Sequence, residues 1–133
     1  MNNRRQIRHD QRGQTATEFA LVLPVFCVLL FGVIQFGILF NNYITLTDAT
    51  RAGARTGAVS RQEEDASGLT EARVRASAED LDQSKLAVSV TTVGGWEHGA
   101  ELNVTATYPY EINLLGWTAA SGSLSSSTTE RVE

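Results

Sequence analysis

One cysteine, two prolines, two histidines and a single methionine are all that this 133-residue sequence offers of those residue types. With only Cys27, no intramolecular disulfide can form. Cys27 also follows Phe26 inside an apolar stretch, whereas a lipid-modified cysteine follows a small residue at the end of one, so a small hydrophobe within an apolar membrane helix is the simpler reading. His9 and His98 stand apart from each other, and neither has a second histidine or a cysteine at metal-ligand spacing. No glycine-rich phosphate loop is present, because Gly94-Gly95 is not followed by a helix-opening lysine. The acidic groups Glu63-Glu64-Asp65 and Glu79-Asp80-Asp82 fit a solvated face better than a cation site. These absences argue against an enzyme and give no reason to expect a metal, a cofactor or a small-molecule substrate.

Charge is also absent where it matters most. Residues 19–40, FALVLPVFCVLLFGVIQFGILF, contain no charged side chain. A helix of that length spans roughly 33 Å, against about 30 Å for a hydrocarbon core. The average composition, 42% hydrophobic with a mean hydropathy of −0.13, conceals this run. Net charge is equally uneven. Residues 1–13 hold four arginines and one aspartate, net +3, so a total of −4 leaves −7 for the rest. A nucleic-acid binder needs its basic face on the folded part, and here the basic patch is a short head before an apolar span.

Three readings compete for that head. A secretory signal has a shorter apolar region with a small-residue cleavage site close behind it. Ala52-Gly53-Ala54 would have to serve, and it lies twelve residues past the end of the run. A plain signal anchor fits the length. The third reading places a cleavage site before the span: Arg12-Gly13-Gln14-Thr15-Ala16-Thr17-Glu18-Phe19 ends a basic leader on glycine and sets a glutamate at the start of the apolar helix.

On those residues the chain resembles the prepilins of the type IV family, and most closely the TadE-like pseudopilins of tight-adherence (Tad) pilus systems. The resemblance runs from about Arg12 to Val59 and includes RGQTATEFALVLPV at one end of the helix and DATRAGARTGA at the other. It implies cleavage between Gly13 and Gln14 by the cytoplasm-facing prepilin peptidase, and a glycine without Cβ suits a membrane-bound active site that must admit extended backbone. Glu18 would become the fifth residue of the mature chain, beside Phe19, and would pair with the N-terminal amine of a neighbouring subunit. A local role is open to Glu18 as well, since Thr15-Ala-Thr-Glu18 matches a capping box. The implied partners are the peptidase, other pilins and pseudopilins, the inner-membrane assembly platform and the lipid bilayer, with no nucleic acid.

Pro24 should bend the span by removing the hydrogen bond to the Ala20 carbonyl, or is simply a tolerated membrane proline. Gln35 stands near a depth where family members often carry an acidic residue, so at most an interhelical hydrogen bond is expected there. Asn41, Asn42 and Tyr43 mark the outer interface, and the helix continues beyond them. Ala49, Gly53 and Gly57 recur every four residues, a small-residue stripe for close packing against either the chain's own head or another subunit. Arg51, Arg55 and Arg61 should be solvated or paired with Asp48. The leader's arginines and the cleavage motif together place the N-terminus inside the bacterial cytoplasmic membrane and the C-terminus outside it, in a single pass, with later incorporation into a surface pilus open.

Beyond Arg61, residues 62–68 look like a linker and residues 69–84 like a helix, with Glu71 and Arg75 as an i,i+4 pair. Residues 86–93 have strand composition, Gly94-Gly95 opens a hairpin connection ending near Gly99, and residues 100–108 alternate with Leu102, Val104, Ala106 and Tyr108 on one face. Pro109 should end that strand or mark an edge. The Ser/Thr-rich tail, residues 121–129, reads as a polar edge strand in preference to a disordered tail. Trp96 and Trp117 suit core or membrane-edge packing. The expected fold class is α+β: a leader (1–13), a long N-terminal helix (14–61, transmembrane over 19–40), and a small pilin-like head (62–133) of one short helix and a three- or four-stranded antiparallel sheet. The resemblance implies a minor pseudopilin of a Tad-type pilus, processed by prepilin peptidase and required for pilus assembly and adherence. The alternative is an uncleaved, signal-anchored protein whose outer domain binds a ligand or partner.

Overall fold

The computed structural model describes residues 11–114 and 116–133, with side chains from Gln14 onward; the basic leader up to Asp10, His9 included, lies outside the described residues. Two helices precede three strands: α1 (Gln11–Val59), α2 (Ala66–Ser77), β1 (Ala87–Val93), β2 (Glu101–Leu114) and β3 (Trp117–Arg131). The sheet is antiparallel throughout, in the order β1-β2-β3. This is the α+β arrangement expected, with three strands.

α1 has 49 residues and is therefore about 74 Å long. Its lower half stands clear of the rest of the chain, and Leu21 (73%) and Val33 (72%) are among its exposed apolar side chains. Described residues include one helix long and apolar enough to cross a membrane, and this is it. Its upper half has a different environment. Leu46, Ala49, Thr50 and Ala54 are fully buried, and with Val74, Leu102, Val104 and Val132 they form the core of the head.

α2 starts three residues earlier than the apolar spacing predicts, and stops earlier. Asp65 is its N-cap, its carboxylate accepting from the Gly68 N–H at 2.8 Å, which satisfies one of the four free donors of the first turn. At the other end the Ala78 N–H is shared between the Val74 and Arg75 carbonyls, so the helix closes at Ser77 rather than Ser84. Glu71 does pair with Arg75, at 2.8 Å. Arg75 goes further, donating from Nη1 to the Leu86 carbonyl at 3.2 Å and the Gln83 carbonyl at 3.4 Å, which ties the turn after α2 to the start of β1. Within that turn the Asp82 carboxyl is held below its ordinary value of 3.8 by hydrogen bonds from the Ser84 hydroxyl and N–H, with Lys85 adding to the effect.

β2 is the central strand. Leu102, Val104 and Ala106 are fully buried beneath the helices, as their alternation predicts. Gly94, Gly95 and Gly99 all have positive φ in the connection from β1, where a side chain would be strained. β2 does not end at Pro109. It continues to Leu114, because β1 pairs only as far as Thr107 and Pro109 lies past it, with a neighbour on the β3 side alone. The Ser/Thr tail is the edge strand β3, which runs from Trp117, four residues before the expected start. Its outward side chains join Asn103: the amide oxygen accepts from Thr105 and Ser127 hydroxyls, both at 3.0 Å, and the amide nitrogen donates to Thr129 at 3.1 Å. Cross-strand polar pairs of this kind stabilise a sheet without apolar side chains.

The inward face of β3 meets α1 through hydroxyls. Thr50 Oγ1 donates to the Thr47 carbonyl at 2.9 Å, accepts from Thr128 Oγ1 at 3.3 Å and lies 3.2 Å from Ser126 Oγ. Thr50→Val preserves volume but leaves two partly buried hydroxyls facing a methyl group. The expected loss is about 1–2 kcal/mol, read as an earlier midpoint in denaturant unfolding of the head in detergent.

Candidate functional site

The residues singled out in the sequence fall into two groups on α1, one at its foot and one where the head sits. At the foot, the Gly13 and Gln14 backbones are already helical. Gln14 Nε2 donates to Glu18 Oε1 at 3.0 Å, one turn away, and Glu18 and Phe19 are both exposed. Thr15 is therefore inside the helix and does not cap it, which corrects the capping-box reading: nothing in Gln11 to Thr15 breaks a helix, and a glycine costs only about 1 kcal/mol there. Glu18 is left exposed at the boundary between polar leader and apolar span, where a carboxylate seeks a donor or a cation. Pro24 lies within α1, which remains helical on both sides of it.

The second group is the stripe Ala49, Gly53 and Gly57. All three are buried. A Cβ on Gly53 would collide with Val74 Cγ2 and lie 3.2 Å from the Thr70 carbonyl oxygen. One on Gly57 would lie 2.6 Å from both Leu102 Cδ2 and Thr70 Oγ1. The stripe is thus filled by α2 and β2 of the same chain. Thr70 is itself buried, its hydroxyl donating to the Ala66 carbonyl at 2.7 Å while the side chain faces Gly57 and the carbonyl faces Gly53. Arg51 is paired with Asp48 at 3.8 Å, both side chains about two-thirds exposed.

The structure does not bring the foot and the stripe together. They are about 50 Å apart along one helix axis. Nor do the acidic clusters converge: among the described residues no three of His, Cys, Asp and Glu are grouped as a metal site would require. Two features escaped the sequence reading. Thr50 is adjacent to the stripe, and nothing in the sequence sets it apart from the other threonines of α1; the long β2–β3 hairpin beyond Pro109 was hidden by the proline itself.

Among the described residues, one helix long and apolar enough to cross a membrane carries a small α+β head, the layout of a single-pass, helix-anchored membrane protein. Residues 13–55, about a third of the chain, match the family described as TadE-like protein, a stretch that runs from Gly13 past Ala49 and Gly53 to Arg55. Searches of curated proteins and of solved structures gave no match.

Proposed function

We propose that this chain is a minor pseudopilin of a Tad-type pilus, cut by prepilin peptidase between Gly13 and Gln14 and required for pilus assembly and adherence. The observation that carries the reading is the TadE-like match, which opens at Gly13. The residues around it supply the chemistry. Gly13 ends a basic leader, Glu18 follows at the fifth position after the cut, and Phe19 begins the span. Cleavage creates an amine on Gln14, one helical turn below the Glu18 carboxylate. That carboxylate then has two kinds of donor: the free N–H groups and dipole of its own helix start, and the amine of an adjacent subunit. The leader faces the cytoplasm and the head faces outward. The other pilus subunits and the membrane platform meet the apolar helix, since the head already occupies the glycine stripe.

The mature N-terminus tests this directly. Mass spectrometry of membrane-extracted protein, made with and without a cognate prepilin peptidase, should show a chain beginning at Gln14 only when the peptidase is present. Met1 retained under both conditions would overturn the proposal in favour of an uncleaved anchor with a partner-binding head.

A further inference from the structure

The β2–β3 hairpin runs down α1 toward the apolar span. Leu102 packs at Gly57, and Ser126, the β3 partner of Ala106, meets Thr50. Lower still, residues 108–112 share a crevice of about 280 Å³ with Gln35, Leu39 and Asn42. Eight strand residues thus cover about 27 Å while some nineteen helix residues cover about 28 Å, so strand and helix axes are nearly aligned. The hairpin continues two residues past that crevice to the pair Leu114 and Trp117, about 7 Å further toward the foot of α1. At that level α1 is apolar and exposed.

The chemistry of the tip changes at the same place. Glu111 and Lys85 line the crevice. Below them no charged residue occurs until Glu130, and the tip carries Ile112, Leu114, Trp117, Ala119 and Ala120. Trp117 is 82% exposed, the most exposed large apolar side chain described. Tryptophan at the end of an apolar span favours the headgroup level, where its ring is half-solvated and its N–H finds an acceptor. The two-stranded tip also sets a limit on depth, because its outer edges carry unpaired backbone groups that mid-bilayer hydrocarbon would not satisfy.

Resting on the reading of α1 as membrane-spanning, we infer that the tip of the β2–β3 hairpin, residues 112–114 and 116–120, is a second membrane contact, seated in the lipid interface on the head's side of the bilayer. Glu111 and Lys85 then lie at the headgroups. The stretch of α1 from Phe19 to Ile38, about 30 Å long, matches the hydrocarbon beneath. Lipid is the occupant because the tip is continuous with the exposed apolar surface of α1 at the same depth. Two contacts on one rigid head also fix its tilt and rotation, which a single helix through a bilayer leaves free.

Trp117 reports on this directly. The full chain carrying Trp96→Phe, whose only tryptophan is Trp117, is reconstituted in phosphatidylcholine–phosphatidylglycerol vesicles with lipids brominated at a shallow or a deep acyl position. Shallow bromines should quench its emission about twofold more than deep ones, with little quenching by aqueous iodide. Trp117→Phe in the otherwise unaltered chain should remove the same quenchable component, which keeps the test sound if Trp96→Phe perturbs the head. Free quenching by iodide with none by bromine would overturn the inference. So would bromine-insensitive, blue-shifted emission that fades as the chain is diluted in lipid, which would mean a second copy covers the tip. Flotation of the same vesicles separates the premises: chains that float without bromine quenching refute the hairpin contact alone, and chains that do not float refute the membrane span as well.

Discussion

Gly53→Leu is expected to detach the head from its helix. A Cβ at Gly53 already collides with Val74 and comes within 3.2 Å of the Thr70 carbonyl, which is backbone of α2 and cannot swing aside. Gly53→Ala isolates the first part of that effect. Alanine gains about 1 kcal/mol in helix propensity, and overpacking a filled contact costs about 1–3 kcal/mol, so the net change is a modest loss. Leucine adds three more carbons with nowhere to go, and the cost should exceed about 3 kcal/mol, a large share of what a head this small can hold. Gly57→Ala should be milder than Gly53→Ala, because its neighbours are the flexible end of Leu102 and the Thr70 side chain. Gly37→Ala serves as the control. Nothing lies within 4 Å of its Cβ position, and the substitution should be neutral or slightly stabilising. Thermal unfolding of the full chain in detergent, followed with limited proteolysis of residues 62–86, reads the series; equal behaviour of Gly53→Leu and Gly37→Ala would contradict the packing described above.

That contrast also shows what the sequence could and could not disclose. Glycine at every fourth position of a helix announces a close approach, since the propensity penalty must be offset by something. What approaches is a tertiary fact, and the chain's own α2 is invisible from residues 49–57 alone. The buried face of β2 was legible because period-two alternation has one meaning when apolar and polar residues strictly exchange. The hairpin tip was not, for two reasons. Pro109 is a strand terminator only where a neighbouring strand needs its missing N–H, and β1 had already ended. The Ser/Thr tail lacks apolar alternation, so its pairing is held by hydroxyls to Asn103 on one side and to Thr50 on the other. The α2 start was displaced because the linker reading gave Asp65 to a solvated acidic cluster, when its carboxylate is a helix cap. At the foot of α1 the spacing proposed for processing, residues 13 to 18, gave no sign that these residues are helical.

That helicity bears on the proposed processing, for which Gly13→Trp is the decisive substitution. A peptidase acting at the Gly13–Gln14 bond must draw an extended strand from what is, in the uncut chain, the first turns of a helix. Glycine lowers the cost of unwinding by about 1 kcal/mol relative to alanine and removes the Cβ that would hold the backbone away from the catalytic groups. Tryptophan reverses both effects and adds a ring at the point of closest approach. Processing should fall below detection, and uncut chain should accumulate in the membrane with its head folded as before. Gly13→Ala should cut more slowly, without being blocked. Glu18 separates the next step from this one. Glu18→Gln keeps an oxygen that can accept from Gln14 Nε2 but carries no charge, so cleavage should proceed while piliation falls at least about tenfold, as loss of about 1.4 kcal/mol of charge pairing requires. Immunoblots for cut and uncut chain, set beside counts of surface pili, distinguish the two defects. Efficient maturation of Gly13→Trp would remove the peptidase from the account, and a fully piliated Glu18→Gln strain would confine that carboxylate to stabilising its own helix.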